Sequence, residues 1–265
     1  MSQHSDAERR DAEFAAELSA ATLKAYERYA VEVVERFGFC PWARTAREAG
    51  NVTLRVVFSA DRDDLDESLS LLSELHGPPP ATGVGARGTG AEVGASTDIA
   101  LFIYPLLDLD RLGFEDYARR LRTRAESGSG LGRGRLDAFA MAAFHPSASA
   151  DLSHPDRLVP FVRKSPDPTL QLVRNSALSS IKGLAQGTAF LDVARLTAEA
   201  LKALQEPPPK AVRERIAEQN LATVSESGSA AIDAVLTDIA REREEAHQRL
   251  LLRYGRRGPR RLNPG

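Results

Sequence analysis

Apolar residues recur at helical spacing early in the chain, at Leu23, Tyr26, Ala30, Val33, Val34 and Phe37. This spacing predicts an amphipathic helix that ends near Gly38. The stretch NVTLRVVFS, residues 51–59, alternates instead, with one face formed by Val52, Leu54, Val56 and Phe58. Alternation is the period of a half-buried strand, so the pattern predicts a first strand here.

Residues 61–75, DRDDLDESLSLLSEL, open with aspartates and carry leucines on one side, at Leu65, Leu69, Leu72 and Leu75. Negative side chains suit the positive end of a helix, so this stretch is predicted to be helical. Residues 77–96 are rich in glycine and proline and hold few large apolar side chains. They are predicted to form a mobile surface loop.

Two further strands are predicted from short apolar runs. DIALFIY at 98–104 is continuously apolar, which is typical of a strand covered on both faces, and LDAFAMAAF at 136–144 predicts a third strand. Residues 114–127 between them have the pattern of a crossover helix. Strands that alternate with helices imply βαβ units, so we expect an α/β fold with a small, open, mainly parallel sheet of three to four strands.

From Thr169 onward, apolar residues recur at helical spacing, at Leu170, Val173, Ala177, Ile181 and Leu184. The chain is therefore predicted to be helical beyond this point. These patterns predict that the whole chain is divided into a polar N-terminal lead (1–13), an α/β domain (14–185), a helical C-terminal extension (186–254) and a basic tail (255–265).

The composition narrows the class of protein. With 42% hydrophobic residues in 265, the chain can bury a core without disulfides or structural metal. Lys and Arg number 35 against 37 Asp and Glu, so no overall field attracts nucleic acid. No run approaches the ~20 apolar residues of a membrane span, and no secretory signal precedes the first helix. We expect a cytoplasmic protein without a membrane partner, whose cofactor and oligomeric state the sequence leaves unknown.

Cys40 is the only cysteine, in the stretch FCPWAR. Pro41 disfavours helical geometry at Cys40 and is itself favoured at the first helical position, which predicts a short helix with Cys40 as its N-cap. The positive helix end and Arg44, one turn on, would lower the thiol pKa and produce a reactive thiolate. The alternative is a small buried apolar residue beside Trp42. A two-cysteine redox mechanism is excluded within one chain.

His145 directly follows the third predicted strand. In a parallel sheet this is the carboxyl edge, where ligands bind, so His145 is a candidate general acid or base. The alternative is a histidine that ends the strand by bonding nearby backbone. His154 and Asp156 lie close in sequence, but the spacing matches no known zinc motif, so no metal site is predicted.

The stretch VRKSPDPTLQLVRNS, residues 162–176, places two arginines around a proline-rich turn that is predicted to start a helix at Pro168. Arg163 and Arg174 are candidates for gripping a carboxylate or phosphate, with Ser165 completing the cradle and Arg44 adding positive charge. The alternative is a pair of surface salt bridges and a rigid turn.

Three stretches, FCPWAR, FAMAAFHP and VRKSPDPTLQLVRNS, together resemble the bacterial and plastid family called domain of unknown function 1415 (DUF1415). Members carry C-P-F-A-K, A-x-F-H-P and N-R-S-P-x-P-x-L-H-L-L-R in this order. The resemblance spans roughly residues 20–185 and implies a shared fold, while the family name implies no reaction. The chain departs from the family pattern at Ser147, Val162, Lys164 and Gln171. The positions that match are Cys40, Pro41, Ala43, Arg44, Phe144, His145, Pro146, Arg163, Ser165, Pro166, Pro168, Leu170 and Arg174.

Two functional hypotheses follow from these residues. The first is an enzyme acting on a small anionic metabolite, with Cys40 as nucleophile, His145 as general acid or base, and Arg163 with Arg174 as an anion clamp. The second is a noncatalytic anion-binding or regulatory module that uses the same arginine clamp.

Overall fold

The computed structural model describes residues 2–75, 97–127, 139–175 and 212–256. The helices in these ranges are α1 (Ser2–Tyr29), α2 (Ala43–Glu48), α3 (Asp66–Leu75), α4 (Arg111–Ser127), α5 (Pro155–Val162), α6 (Val212–Ser227) and α7 (Ser229–Tyr254). The strands are β1 (Val52–Val56), β2 (Ile99–Ile103), β3 (Phe139–Phe144) and β4 (Thr169–Arg174). The loop predicted at 77–96 lies outside the described residues, as do most of the predicted basic tail and the helical stripe beyond 175.

The first helix is longer than predicted, because α1 begins at Ser2 and includes the polar lead. A π-helix, Ala30–Glu35, continues it. Amides here reach carbonyl groups five residues back, as Phe39 N does to Val34 O at 3.0 Å. Gly38 then turns the chain with a φ of +65°, a conformation that favours glycine. The predicted helix end near Gly38 is therefore confirmed.

The four strands form one open sheet in the order β1-β2-β4-β3. β1 and β2 are parallel, with Val52 opposite Ile99. β4 is antiparallel to both β2 and β3, so Thr169 lies opposite both Ile103 and Phe144. The α/β class is confirmed, but the prediction of a mainly parallel sheet is wrong. β1, β2 and β3 do run in one direction, and β4 is inserted between β2 and β3 in the other.

The prediction that the chain is helical from Thr169 is also wrong, because residues Thr169–Arg174 form β4. The spacing of Leu170 and Val173 fits a helix, but the buried apolar side chains of β4 are Leu170 and Leu172, which alternate. Pro166 and Pro168 also keep the residues before them extended. Pairing with strands far away in the sequence decides the structure of this segment.

One face of the sheet is closed by α3 and α4. The residues of β2 and β4 on this face are fully buried, and the cluster that they form with the two helices includes Ala100, Phe102, Leu170, Leu172, Leu72, Phe114 and Leu121. Because successive side chains of a strand point to opposite faces, the residues that alternate with this set face the helices on the other side of the sheet.

The other face is covered by α1, α5, α6 and α7. Its buried cluster includes Tyr26, Val33, Ile103, Leu158, Phe161, Val224 and Ile239. α1 packs along α7, and α5 packs on α6. Among the described residues, no helix combines the length and the apolar character needed to cross a membrane.

A buried ion pair joins α7 to the turn before β4. Arg243 donates to the carboxylate of Asp167 and, at 2.9 Å, to the carbonyl of Pro105. The side chains of Arg243 and Asp167 are 1% and 0% exposed. The Asp167 carbonyl accepts hydrogen bonds from Ser165 at 2.6 Å and Tyr26 at 3.1 Å. The Ser-Pro-Asp-Pro turn thus connects α1, β4 and α7.

Candidate functional site

A cavity of about 1140 Å³ lies between the sheet and the helices of the second layer. Ligand pockets are commonly about 300–1,000 Å³, so this volume suits a drug-sized molecule or a larger one. The sheet contributes Leu54, Leu101 and Gln171, and the helical layer contributes residues that include Tyr29 of α1 and Asn220 of α6.

In the described part of the chain, the helices of the second layer leave space over the first half of β2. Ile103, near the end of the strand, is fully buried, whereas Ile99 and Leu101 on the same face are only partly buried. The facing residues of β1, such as Leu54, are partly buried too. These partly buried apolar strand residues form the floor of the cavity.

The segment after the π-helix brings Cys40 to the cavity wall. Phe39 is buried and anchors this segment in the second core cluster. Cys40 and Trp42 both line the cavity. α2 starts only at Ala43, and its N-cap is Trp42. The short helix is confirmed, but the prediction that Cys40 is its N-cap is wrong by two residues.

The predicted lowering of the Cys40 pKa is also wrong. Burial raises the pKa of the thiol, and the backbone N–H groups of Trp42 and Ala43 counter this only in part. Arg44, which was expected to help, is exposed and donates instead to Glu35 at 3.4 Å. The thiol therefore stays protonated at neutral pH, as in the alternative interpretation of a buried cysteine.

Two residues that line the cavity each carry a buried polar atom that lacks a hydrogen-bond partner among the described residues. The two atoms are the hydroxyl of Tyr29 and Oδ1 of Asn220, on side chains of residues only 5% exposed. Burial, followed by the neighbouring Cys40, raises the pKa of Tyr29, so its hydroxyl keeps its proton. An unsatisfied buried polar atom costs about 1–3 kcal/mol.

His145 is buried and both of its ring nitrogens are engaged by backbone. Nε2 donates to the carbonyl of Leu109 at 2.9 Å, and Nδ1 accepts from the amide of Ser147 at 3.1 Å. The ring lines a second, smaller cavity of about 50 Å³. The structure therefore does not place Cys40 and His145 on one cavity, and the histidine has the backbone-bonding role of the alternative interpretation.

The two arginines of the predicted clamp lie near opposite ends of β4. Arg174 donates to the carbonyl of Thr97 at 3.0 Å, and its guanidinium lies 4.8 Å from the ring centroid of Phe139. Arg163 is exposed and lies beside the end of β3, where its carbonyl accepts from the amide of His145 at 3.1 Å. β4 has six residues, so its two ends are about 17 Å apart. The structure does not bring the two side chains together as one clamp.

Ser165, the third member of the predicted cradle, is buried and donates to the carbonyl of Asp167 at 2.6 Å. His154 caps α5, and its Nδ1 accepts from the amide of Asp156 at 3.2 Å. Within residues 2–75, 97–127, 139–175 and 212–256, no cluster of three or more His, Cys, Asp or Glu residues could hold a metal ion.

Sequence analysis missed Tyr29, Asn220 and Gln171 as residues of the site. Tyr29 belongs to the buried side of a long amphipathic helix, where an aromatic residue is ordinary. The sequence pattern predicts a helix at Gln171, so it does not reveal the position of Gln171 on the cavity face of β4.

Comparisons of the chain with protein-family models, with curated proteins and with solved structures find no match.

Proposed function

We propose that this protein is a binding module for a small, neutral and mostly apolar molecule that carries two hydrogen-bonding groups. The observation that supports the proposal most is the 1140 Å³ cavity, whose lining includes two residues with unpartnered buried polar atoms. These atoms have almost no surface open to the cavity, so the two side chains would turn toward the ligand on binding. One ligand group would then donate to Asn220 Oδ1, and another would donate to or accept from the Tyr29 hydroxyl.

The charges around the cavity favour a neutral ligand over an anion. The side chain of Glu35 is 4% exposed and lies in the cavity wall, but Arg47 donates to it at 2.6 and 3.1 Å and lowers the pKa of its carboxyl group. Lys24 pairs with Glu242 at 2.7 Å. Two further ionisable residues line the cavity, the positively charged Arg163 and the negatively charged Glu27. The ionisable groups of the lining are thus nearly balanced in charge, so we propose a neutral ligand rather than the small anionic metabolite expected from the sequence.

A noncatalytic role suits the geometry better than the thiolate enzyme. The enzyme hypothesis requires an ionised Cys40 and an available His145, whereas the thiol pKa is raised and both imidazole nitrogens are bonded. Binding requires neither an ionised thiol nor a free imidazole nitrogen.

The three stretches that resemble DUF1415 each contribute a residue to the cavity wall, namely Cys40, Phe144 and Ser165. We propose on the basis of this resemblance that the chain is a member of that family.

The cavity contains two native reporters, because Trp42 and Cys40 are the only tryptophan and the only cysteine in the chain. A panel of neutral aromatic ketones and alcohols that includes dihydrochalcone should change Trp42 emission saturably and slow the alkylation of Cys40. A ligand at one hundred times its dissociation constant should add about 2.7 kcal/mol to stability. If the panel changes neither the emission nor the alkylation rate, the proposed function is refuted.

Substitution of Tyr29 should show whether its hydroxyl serves ligand binding or the stability of the fold. Tyr29→Phe removes an unsatisfied buried hydroxyl, so the free protein should gain about 1 kcal/mol of stability and bind the panel more weakly. Tyr26, one turn earlier, is the matched control, because its hydroxyl donates to Asp167 at 3.1 Å. Tyr26→Phe should lose about 1–2 kcal/mol. Urea unfolding of both variants measures the difference, and equal losses would contradict the assignment.

A further inference from the structure

Gln171 is a polar residue in the apolar floor of the cavity. It lies on β4, between β2 and β3, and directly opposite Leu101 of β2 and Ala142 of β3. Residues that lie opposite each other share a face of the sheet, so both cross-strand neighbours of Gln171 are apolar and offer its side chain no hydrogen bond. Gln171 is only partly buried and lines the cavity, unlike the enclosed polar atoms of Tyr29 and Asn220.

The carboxamide of Gln171 has no hydrogen-bond partner within the part of the chain that the structure describes. Thr169, two residues earlier on the same face of β4, uses its hydroxyl on the Asp167 carbonyl at 2.9 Å and on Tyr26. A carboxamide in apolar surroundings costs free energy unless it is hydrogen-bonded, so the packing of the sheet does not account for a glutamine here. A complementary group on a bound molecule would.

We propose that Gln171 determines the ligand specificity of the cavity, and that the ligand is an apolar aromatic lactam, a ring in which an N–H lies beside a carbonyl group. The Gln171 carboxamide presents an N–H donor beside a carbonyl acceptor, and a lactam edge presents the same pair in the complementary order. Two parallel hydrogen bonds can therefore join them, as when glutamine binds the adjacent donor and acceptor of an adenine base.

This inference rests on the proposed function, because the lactam must first enter the cavity. A lactam is neutral at neutral pH, in agreement with the balanced charge of the lining. Its ring would lie against apolar residues of the floor such as Leu54 and Ile99, and Trp42 adds an aromatic surface to the lining. Because β4 is paired on both sides, the backbone holds Gln171 in a fixed position, as recognition by two simultaneous hydrogen bonds requires.

The experiment compares two bicyclic probes on the full chain. 2-Quinolone carries the lactam edge, and coumarin has the same shape and carbonyl group with a ring oxygen in place of the N–H. By isothermal titration calorimetry, 2-quinolone should bind at least about tenfold more tightly, the discrimination typical of a bidentate pair. It should also slow the alkylation of Cys40, which lines the cavity. Equal affinities, or binding of 2-quinolone without protection of Cys40, would overturn the role of Gln171.

Gln171→Met keeps the length of the side chain and removes both hydrogen-bonding groups. It should weaken the binding of 2-quinolone at least about tenfold and that of coumarin much less. The midpoint of urea unfolding should stay the same or rise, because no hydrogen bond within the described residues is lost. Gln248, an exposed amide that donates to Glu244 at 3.1 Å, is the control, and Gln248→Met should change neither affinity. A lower midpoint with the preference for 2-quinolone retained would mean that Gln171 serves the fold.

The ketone and alcohol panel keeps the two proposals distinguishable. If the panel changes Trp42 emission or protects Cys40, but 2-quinolone binds no better than coumarin, recognition by Gln171 fails while binding in the cavity stands. If neither the panel nor the two probes changes the emission or the alkylation rate, the proposed function fails as well.

Discussion

Replacing Arg243 with methionine should lower the free energy of unfolding by about 3–5 kcal/mol. Arg243 holds the carboxylate of Asp167, and both side chains are excluded from solvent. Methionine fills much of the space but leaves the Asp167 charge buried without its cation, which is the costly outcome for a buried pair. Urea unfolding followed by circular dichroism measures the loss.

A neighbouring arginine on the same helix supplies the control. Arg241 is 61% exposed and pairs with Asp238 at 2.7 Å and Glu245 at 2.9 Å. Arg241→Met should cost less than about 1 kcal/mol, because exposed pairs contribute little. The double variant Arg243→Met with Asp167→Asn should recover part of the loss, since no buried charge remains. A loss for Arg243→Met no larger than for Arg241→Met would show that the pair is not critical.

Two leucine-to-alanine variants should differ in stability according to which face of the sheet they occupy. Leu172 is 0% exposed on the face closed by α3 and α4, so Leu172→Ala should cost about 2–5 kcal/mol. Leu101 faces the cavity and already lacks part of its packing, so Leu101→Ala should cost less than half as much. The comparison holds the side-chain chemistry constant and varies only the surroundings.

Chemical unfolding of both variants measures the difference. Ligand binding gives a second readout, since Leu101→Ala should alter the affinity for the ketone panel and Leu172→Ala should not. Equal losses of stability would mean that the space over Leu101 is closed in solution, and the binding proposal would then lose its main support.

The elements that the sequence predicts correctly are those whose local pattern and long-range packing agree. β1, β2 and β3 lie within the predicted runs, and α4 contains the predicted crossover helix. β4 was missed because a six-residue segment with Leu170 and Val173 three positions apart satisfies a helical period as well as a strand. Only its pairing with β2 and β3 decides between them, and that pairing is not encoded locally.

The site was predictable only in part, for a similar reason. The position of Pro41 shows that a short helix starts near Cys40, but the pKa of the thiol depends on the burial provided by elements distant in sequence. Asp167 and Arg243 are 76 residues apart, and neither has a local feature that identifies the other. A sequence motif therefore predicts where a residue such as Cys40 lies better than it predicts the reactivity of that residue, because the reactivity depends on the tertiary surroundings.

The position of β4 in the sheet also has a consequence for synthesis on the ribosome. β2 and β3 are translated before β4, which ends at Arg174. Until β4 has emerged, β2 is paired only with β1, and β3 lacks the strand that pairs with it in the sheet. At about 5–20 residues per second, the nascent chain exposes unpaired strand edges for seconds. Such edges are templates for pairing with other chains. Because Arg243 is made later still, the turn that starts β4 forms its buried ion pair only after α7 has been translated. Chaperones that shield the early strands until then would favour correct assembly.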